Sequence, residues 1–523
     1  MLFNSHLFIF LFLHVTVVGF YLAARRDAAL ASRWLTLASV LFYAWWDWRN
    51  VILLMGSVGF NFLAGEVIVR LLKSNRLRKA SAATVLATAV NLGMLAYYKY
   101  ANFFLTELNR VVGSSWDIPE ILLPLGISFF TFTQIAFLID VRHGKVSEYS
   151  FTHYLLFVTY FPHLIAGPIL HHGEMMPQFA RAETYRFSYD KLALGLSIFL
   201  IGLFKKTVIA DGVSPEARAL FDAAAQGQTP ALLECWSGVL AYTLQLYFDF
   251  SGYSDMAIGL SSLFGIRLPV NFYSPYKSVD IIEFWRRWHM SLSRFLRDYL
   301  YIPLGGNRKG TLRRYLNLFL TMLLGGLWHG ANWTFVAWGG LHGIYLAINH
   351  AWRGLRRALG ADLSHPPTLA GRLAGTTLTL LAVMVAWVFF RADSLTTALD
   401  ILKGMAGQHG VVMPYRWIEH HEQTALAQWL LEHHVRFAEM PIFGKGQSSL
   451  WCLALLIGCW VLPNTQQIFE QMHPGFCPSR LGPTIDRRYQ WRCNWVWCAV
   501  SVSMGFAAIM SISGLSEFIY FQF

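Results

Sequence analysis

The stretch EFWRRWHMSLSRFLRDYLYIPLGG, residues 283–306, separates polar from apolar side chains with a helical period. Wound as an α-helix at about 100° per residue, it predicts one amphipathic helix over residues 283–301. His289 breaks the pattern by lying inside the apolar arc, so we expect it to face the protein interior while the arginines face water. A charged, aromatic helix of this kind, embedded in or lying against a membrane protein, indicates a functional site rather than a membrane anchor. The polar half holds Glu283, Arg286, Arg287, Ser291, Ser293, Arg294, Arg297 and Asp298, and the apolar half holds Phe284, Trp285, Trp288, Leu292, Phe295, Leu296, Tyr299 and Leu300.

The composition is that of an integral membrane protein. Of the 523 residues, 55% are hydrophobic and 14% are charged, whereas a soluble domain carries about 25% charged residues. The formal net charge of +12 would suggest nucleic-acid binding in a soluble protein. Here the basic residues lie in short loops between apolar spans, which is the positive-inside pattern. We therefore expect membrane lipids around the chain and no nucleic-acid partner.

Recurring apolar stretches predict an all-α, polytopic membrane protein with roughly ten to thirteen membrane segments. Several stretches are too short to cross about 30 Å of hydrocarbon, so some segments are expected to be re-entrant or interfacial. Basic clusters at residues 25–33 and 73–79 should be cytoplasmic, which places the N-terminus outside, in the periplasm. The apolar run at residues 7–21 is interpreted as a retained first span. The stretches lie near residues 4–23, 34–46, 50–72, 81–98, 119–139, 151–170, 191–210, 231–248, 316–327, 332–349, 371–390, 449–463 and 494–514.

One long polar insertion, residues 391–448, interrupts what we interpret as a single membrane domain over residues 1–523. The insertion is rich in histidine, but it contains HEQTA rather than HExxH and no pair of histidines four residues apart. The cysteines form no CxxC pair, so neither a zinc site nor a disulfide framework is indicated. We expect a solvated interfacial loop and no bound metal. The residues concerned are His409, His420, His421, His433 and His434, with Cys235, Cys452, Cys459, Cys477, Cys493 and Cys498.

The stretch LLGGLWHGANWTFVAWGGLHG, residues 323–343, places His329 between an apolar run and a glycine. Burial in hydrocarbon should depress the pKa of this histidine, because burial disfavours the charged imidazolium. A neutral imidazole can serve as a general base. Neighbouring glycines leave room for backbone or substrate to approach. The alternative is a structural histidine hydrogen-bonded between helices, and that reading is favoured for His342, which repeats the His-Gly pair.

Two carboxylates, Asp249 and Asp255, lie in YFDFSGYSDMAIG, residues 247–259. Intramembrane carboxylates are costly and usually find a partner. Arg286 or Arg287 could supply that partner, so a structural role is favoured over a direct one for both aspartates. Earlier in the chain, Lys205 and Lys206 are expected to mark a cytoplasmic helix end and to extend their side chains to the membrane interface.

Together these stretches resemble the membrane-bound O-acyltransferase superfamily, and more narrowly its bacterial polysaccharide-acetylating branch. The resemblance covers most of the chain in order, except residues 400–448. It is carried by LPLGISFFTF, FPHLIAGPI, YFDFSGYSDMAIG, NFYSPYKS, EFWRRWHMSLSRFLRDYLYIPLGGN, LLGGLWHGANWTF, WVFFRADS, LPNTQQIF and the terminal FIYFQF.

The resemblance implies that His329, in the WHG motif, is the catalytic residue and that His289, in the RRWH motif, belongs to the same active site. Acetyl-CoA is then the expected donor, with no cofactor held permanently. The four arginines of residues 283–301 could form a cationic patch for its phosphates, or they could be an ordinary positive-inside anchor with a salt bridge to Asp249 or Asp298. A polar neighbour would steady the developing oxyanion. Substrate or donor binding is expected of Arg286, Arg287, Arg294, Arg297 and Asn332, and a structural or cavity-lining role of Asp249, Asp255, Trp285, Trp288 and Trp328.

The expected reaction is transfer of acetyl groups from a cytosolic donor across the bacterial inner membrane toward an exopolysaccharide, alginate or cellulose. The resemblance also implies a periplasmic partner enzyme of the SGNH-hydrolase type, working with an exopolysaccharide synthesis complex. Two alternatives stay open at this point. One is D-alanyl transfer to teichoic acid, and the other is a polysaccharide or lipid transporter without chemistry, which would usually show internal repeats and paired broken helices.

Overall fold

Helices make up nearly all regular structure in the computed structural model. It describes residues 1–116, 121–146, 149–165, 167–362, 367–415, 424–432, 435–438, 447–470, 485–512 and 519. Within these ranges the regular strands are β1, Val412–Pro414, and β2, Arg436–Ala438, which pair in parallel with Val412 opposite Arg436. The all-α prediction is therefore confirmed.

The chain divides into two compact units. The first comprises Met1–Phe204, Ser251–Asn271 and Thr465–Gln522, and the second comprises Lys205–Phe250 and Phe272–Asn464 with the last residue. The helix α12, Leu232–Leu263, contributes its first part to the second unit and its last part to the first. Whether residues 1–523 fold as one membrane domain stays a prediction.

The first unit pairs its helices through packing and through buried amides. Asn61 and Asn91 exchange two side-chain hydrogen bonds of 3.0 and 2.7 Å between α3 and α4, both residues being fully buried. Amide pairs of this kind hold membrane helices together where lipid supplies no hydrophobic drive. The helices are α1 Leu13–Ala24, α2 Ala28–Ala44, α3 Trp48–Lys73, α4 Leu77–Leu95, α5 Ala101–Val112, α6 Ile127–Arg142, α7 Phe151–Thr159, α8 Phe161–Leu164, α9 His172–Phe179, α10 Tyr189–Phe204, α21 Thr465–Ile468 and α22 Trp495–Met510, with π-helical turns at Phe8–Phe12 and Ala96–Tyr100 and a 3₁₀ turn at Ala182–Tyr185.

The second unit is built on a close hairpin of α15 and α16. Gly326 and Gly339 face each other across the hairpin, and a Cβ on Gly326 would lie 3.0 Å from the Gly339 Cα. Only glycine allows the two backbones to approach this closely. The elements are α11 Asp211–Ala225, α13 Ile281–Arg287, α14 Met290–Leu296, α15 Thr311–His329, α16 Trp333–Ala358, α17 Leu369–Arg391, α18 Leu395–Met405, α19 Ala425–Glu432 and α20 Gln447–Val461, with π-helical turns at Lys205–Ala210 and Arg297–Tyr301 and a 3₁₀ turn at Pro275–Lys277.

Membrane-spanning length is reached by four apolar helical stretches in the described part of the chain: Trp48–Lys73, Leu77–Val112, Tyr189–Ala225 and Leu369–Arg391. Shorter apolar helices occur at Phe8–Ala24, Ala28–Ala44, Leu450–Val461 and Trp495–Met510. The count of ten to thirteen segments and the orientation of the N-terminus stay predictions.

The polar insertion is partly helical where we expected a loop. Ser394 caps α18 by accepting a hydrogen bond from the Thr397 amide. Ala398 and Ile401 of this helix are fully buried, which explains why the segment folds rather than remaining solvated. His409 lies 3.0 Å from the Pro230 carbonyl, and the four other histidines of the insertion lie outside the described residues. Across the described ranges, no group of three or more His, Cys, Asp or Glu side chains could hold a metal.

The prediction of one continuous helix over residues 283–301 is wrong. The helix α13 ends at Arg287, Trp288 is extended, and His289 takes the left-handed conformation with φ of 43° before α14 begins. The cause is a competing hydrogen bond, because the Arg287 carbonyl accepts from the Tyr273 amide at 2.9 Å. The break also buries the Trp288 ring between Phe272 and Phe284. The prediction that His289 faces the interior is confirmed, since it is 1% exposed.

The left-handed backbone at His289 predicts an unusual order of stability among variants. A non-glycine residue there costs on the order of 1–2 kcal/mol, so His289→Gly should unfold at a higher temperature than His289→Ala in detergent. Both variants lack the imidazole, which isolates the backbone effect. Ser293, inside α14, provides the control, because Ser293→Ala should be more stable than Ser293→Gly by about 1 kcal/mol. Equal stability of the two His289 variants would contradict a strained backbone.

Candidate active site

A cluster of buried aromatic rings forms the core of the second unit. Trp338 and Trp387 stack with ring centroids 5.9 Å apart, and Phe390 lies 5.2 and 5.3 Å from them. Trp338 and Trp387 are each 1% exposed. Sequence reasoning did not select these three residues, although WVFFRADS and the residues just after WHG carry them. The cluster provides a dry environment in which polar groups interact strongly.

His329 lies at the edge of this cluster as the last residue of α15, and it is 6% exposed. Its ring contacts Trp328, Trp338 and Phe390 at centroid distances of 5.0, 5.1 and 5.2 Å. Gly330 is extended and ends the helix, and the Phe335 ring fills the space a side chain would need there. Gly330 therefore allows another protein group to pack closely, rather than leaving room for a substrate.

His289 is held in the same unit by the helix break. Its ring meets Phe250 edge-to-face at 4.8 Å. The residue lies between α13 and α14, outside the candidate spans, and burial lowers the pKa of His289 to about 3. The imidazole is therefore neutral at physiological pH.

Successive ring contacts connect the two histidines. Phe250 meets Phe272 at 4.9 Å, Phe272 meets Trp288 at 5.0 Å, and Trp288 meets Trp387 at 5.0 Å. From Trp387 the cluster continues through Trp338 to His329. The structure thus places both predicted histidines along one continuous aromatic core, with Trp288 and Trp328 lining it.

His342 has a structural position inside the same core. Its Nδ1 accepts a hydrogen bond from the Trp285 Nε1 at 3.3 Å, which fixes the imidazole as the tautomer protonated on Nε2. The ring also lies 4.9 Å from Trp338 and is fully buried. These contacts agree with the structural interpretation favoured from the sequence, and they give Trp285 a defined partner.

The four arginines do not share one environment. Arg287 is committed to the fold, because it bonds the Glu283 carboxylate at 2.6 and 3.0 Å and the Tyr273 carbonyl at 3.1 Å. Arg297 is exposed and pairs with its neighbour Asp298 at 2.7 Å, while Arg294 is half-buried. Arg286 is exposed and makes no ion pair within the part of the chain the structure describes. Arg286 and Arg297 are therefore the two exposed arginines of the four, and Arg297 would have to release Asp298 to meet a soluble anion.

The partner of Asp249 is Lys206, not Arg286 or Arg287. The Lys206 Nζ lies 2.7 Å from Asp249 and 2.8 Å from Asp211. The side chains of Lys206 and Asp249 are 4% and 2% exposed, so the expectation that Lys206 extends to the interface is also wrong. The arginines could not serve because Arg287 is already bonded to Glu283 and Arg286 faces outward.

Asp255 and Asn332 both have structural hydrogen bonds. In the first unit, Asp255 accepts hydrogen bonds from Thr465 and Gln466 at 2.8 Å each. These bonds connect the YFDFSGYSDMAIG motif to the LPNTQQIF motif. Asn332, in the second unit, caps α16 by accepting from the Thr334 amide and donates to the Asp393 carbonyl at 2.8 Å. Substrate or donor binding by Asn332 stays a prediction.

The buried Lys206–Asp249 pair predicts strong coupling between its members. Lys206→Met should destabilise the protein by about 3–5 kcal/mol, because it leaves a buried carboxylate without its cation. The double variant Lys206→Met with Asp249→Leu should recover most of that loss, measured by thermal unfolding in detergent. The exposed Lys403–Asp400 pair, also 2.7 Å long, is a matched control worth at most about 1 kcal/mol. Additive losses at Lys206 and Asp249 would contradict the coupling.

Comparison with known proteins identifies the class to which this chain belongs. The sequence profile of the membrane-bound O-acyltransferase family matches residues 86–368. The chain belongs to this family and is an O-acyltransferase.

Relatives of known name extend the similarity over the whole chain. A peptidoglycan O-acetyltransferase from Helicobacter pylori is 39% identical over 100% of this chain and 98% of its own length. A probable alginate O-acetylase AlgI from Pseudomonas aeruginosa is 45% identical over 77% of this chain and 75% of its own. A teichoic acid D-alanyltransferase from Streptococcus thermophilus is 30% identical over 51% of this chain and 68% of its own.

Proposed function

We propose that this protein passes acetyl groups from cytosolic acetyl-CoA across the bacterial inner membrane for O-acetylation of a polysaccharide outside. The observation that carries the proposal is His329, buried at the end of α15 against Trp338 and Phe390. A histidine in such a dry, aromatic setting suits general-base catalysis on a thioester, because water that would hydrolyse the thioester is kept away. The names of the similar O-acetyltransferases support the choice of acetyl as the group transferred.

His329 acts as the general base in this proposal. The neutral imidazole takes the proton of the acceptor's hydroxyl group. A C–O bond then forms between that oxygen and the acetyl carbonyl carbon as the thioester C–S bond breaks. The imidazolium then returns the proton to the departing thiolate. His289, also neutral, belongs to the same site and lies along the same aromatic core. Donor phosphates are drawn to the exposed Arg286 and Arg297.

The acceptor is a polymer of the cell envelope or a secreted exopolysaccharide. Alginate or cellulose was expected from the sequence, and the full-length similarity to a peptidoglycan O-acetyltransferase adds peptidoglycan as a third candidate. A periplasmic enzyme of the SGNH-hydrolase type would complete the transfer to the polymer. Mass spectrometry of isolated peptidoglycan and of secreted polymer, from cells with and without the gene, identifies which one loses its acetyl esters.

D-alanyl transfer is the less favoured alternative. The relative named for it matches 51% of this chain, whereas the peptidoglycan O-acetyltransferase matches all of it. Membership of an acyltransferase family likewise favours chemistry over transport without reaction.

The donor patch predicts a specific kinetic defect. Arg286→Gln combined with Arg297→Gln should raise the KM for acetyl-CoA by roughly tenfold, because hydrogen bonds to charged groups are lost, while kcat changes little. Arg308→Gln, another exposed position, controls for the loss of positive charge. Steady-state kinetics on purified protein test this, and an unchanged donor KM at normal expression would remove the arginines from donor binding.

His329→Gln is the decisive variant for catalysis. Glutamine keeps a polar side chain of similar size but cannot act as a base, so kcat should fall by about 10²–10⁴-fold at unchanged membrane expression. His342→Gln is the matched control in the same aromatic core, since its amide oxygen can still accept from Trp285, and it should keep most activity. Full acetylation of the polymer by a well-expressed His329→Gln protein would end the proposed mechanism.

A further inference from the structure

A separate cavity of about 540 Å³ lies within the first unit. It is half-open to the surface and is bordered by α9, the 3₁₀ turn after it, the start of α10 and the residues that follow α12. Three cationic side chains line it, Arg181, Lys191 and Arg267. None of the three takes part in an ion pair in the ranges the structure describes. Cations gathered around a cavity in this way form a candidate anion site.

The wall of the cavity is held by hydrogen bonds that leave little freedom. Gln178 donates to the Arg267 carbonyl at 3.0 Å and accepts from the Arg267 amide at 2.8 Å. The Thr184 hydroxyl donates to the Gln178 carbonyl at 2.6 Å, and Lys191 donates to the Glu183 carbonyl at 2.7 Å. These bonds fix the backbone that carries Arg267 and the position of the Lys191 ammonium.

Gly265 makes room for the ammonium group. It has φ of 71°, and a Cβ there would lie 2.8 Å from the Lys191 Nζ and 2.9 Å from the Thr184 carbonyl oxygen. The Lys191 ammonium is therefore held directly against bare backbone. The Lys191 side chain is therefore held in place before a ligand binds, which lowers the entropy cost of ordering it on binding.

The cavity lies on the side of the first unit expected to face the cytoplasm. The Tyr21 hydroxyl, near the end of α1, donates to the Leu263 carbonyl at 2.6 Å, and Phe20 packs on Phe264 at 5.2 Å. The next residues after α1 include Arg25 and Arg26, which the positive-inside rule assigns to the cytoplasm. Soluble phosphate compounds and the headgroups of the inner leaflet both reach that side.

We propose that this cavity binds a phosphate ester, with Arg181, Lys191 and Arg267 as its ligands. Glu183 and Asp190 also line the cavity and reduce its net charge to about +1. Two sources share this chemistry. One is a soluble nucleotide other than the acetyl donor placed at Arg286 and Arg297, and the other is the headgroup of an anionic phospholipid.

The experiment uses the purified full-length protein and two probes. Adenosine 3′,5′-bisphosphate represents the soluble source and is measured by calorimetry in detergent. Nanodiscs of phosphatidylcholine with or without phosphatidylglycerol represent the lipid source and are measured by thermal unfolding. The test variant combines Arg181→Gln with Arg267→Gln, and the control combines Arg186→Gln with Arg110→Gln, two exposed arginines outside the cavity lining.

The test variant should weaken binding of one probe by at least about tenfold, and the control should not. A loss confined to the bisphosphate identifies a soluble ligand, and a loss of stabilisation by phosphatidylglycerol identifies a lipid. Absence of binding by both probes, equal binding by the test variant, or equal loss in the control would each overturn the proposal. Binding should persist in His329→Gln, so a failed acetyl-transfer function and a failed anion site give different results.

Discussion

The hydrogen bond from the Tyr273 amide to the Arg287 carbonyl determines the geometry of the second unit. By taking the Arg287 carbonyl out of the helix, it ends α13 and forces the chain to turn at Trp288 and His289. The guanidinium of Arg287 reinforces the turn by bonding the Tyr273 carbonyl and Glu283 together. Backbone strain at His289 is therefore compensated by neighbouring polar bonds and by the burial of Trp288, as is common where a site requires a fixed side chain.

A second constraint comes from the glycines of the α15–α16 hairpin. Because Gly326 and Gly339 bring the two backbones close together, Trp338 of α16 can reach the ring of His329 at the end of α15. A larger residue at either glycine would separate the helices and withdraw Trp338. The surroundings of His329 thus depend on two glycines, and the aromatic rings positioned by the hairpin supply a dry environment.

Local pattern predicted the burial of His289 and His329 and the all-α fold, because each depends on the composition of the chain within a few turns. Prediction from local pattern failed at residues 288–289, because a helical wheel contains no information about the distant Tyr273 amide that competes for the Arg287 carbonyl. It also failed for Asp249, whose partner Lys206 lies 43 positions earlier in the chain. Which of several basic residues meets a buried acid is decided by tertiary packing, and one sequence does not encode it in any periodicity. Trp387 and Phe390 were missed for the same reason, although their motif was recognised.

The placement of charge in the second unit follows from the cost of burial. Lys206 and Asp249 are buried together, with Asp211 adding a partly exposed second carboxylate, so each of these three ions has a counterion. His289 and His342, by contrast, have aromatic surroundings in which a permanent charge would be expensive. A neutral imidazole tolerates such a place, because it can pack and hydrogen-bond without carrying a charge into it, as His342 does with Trp285.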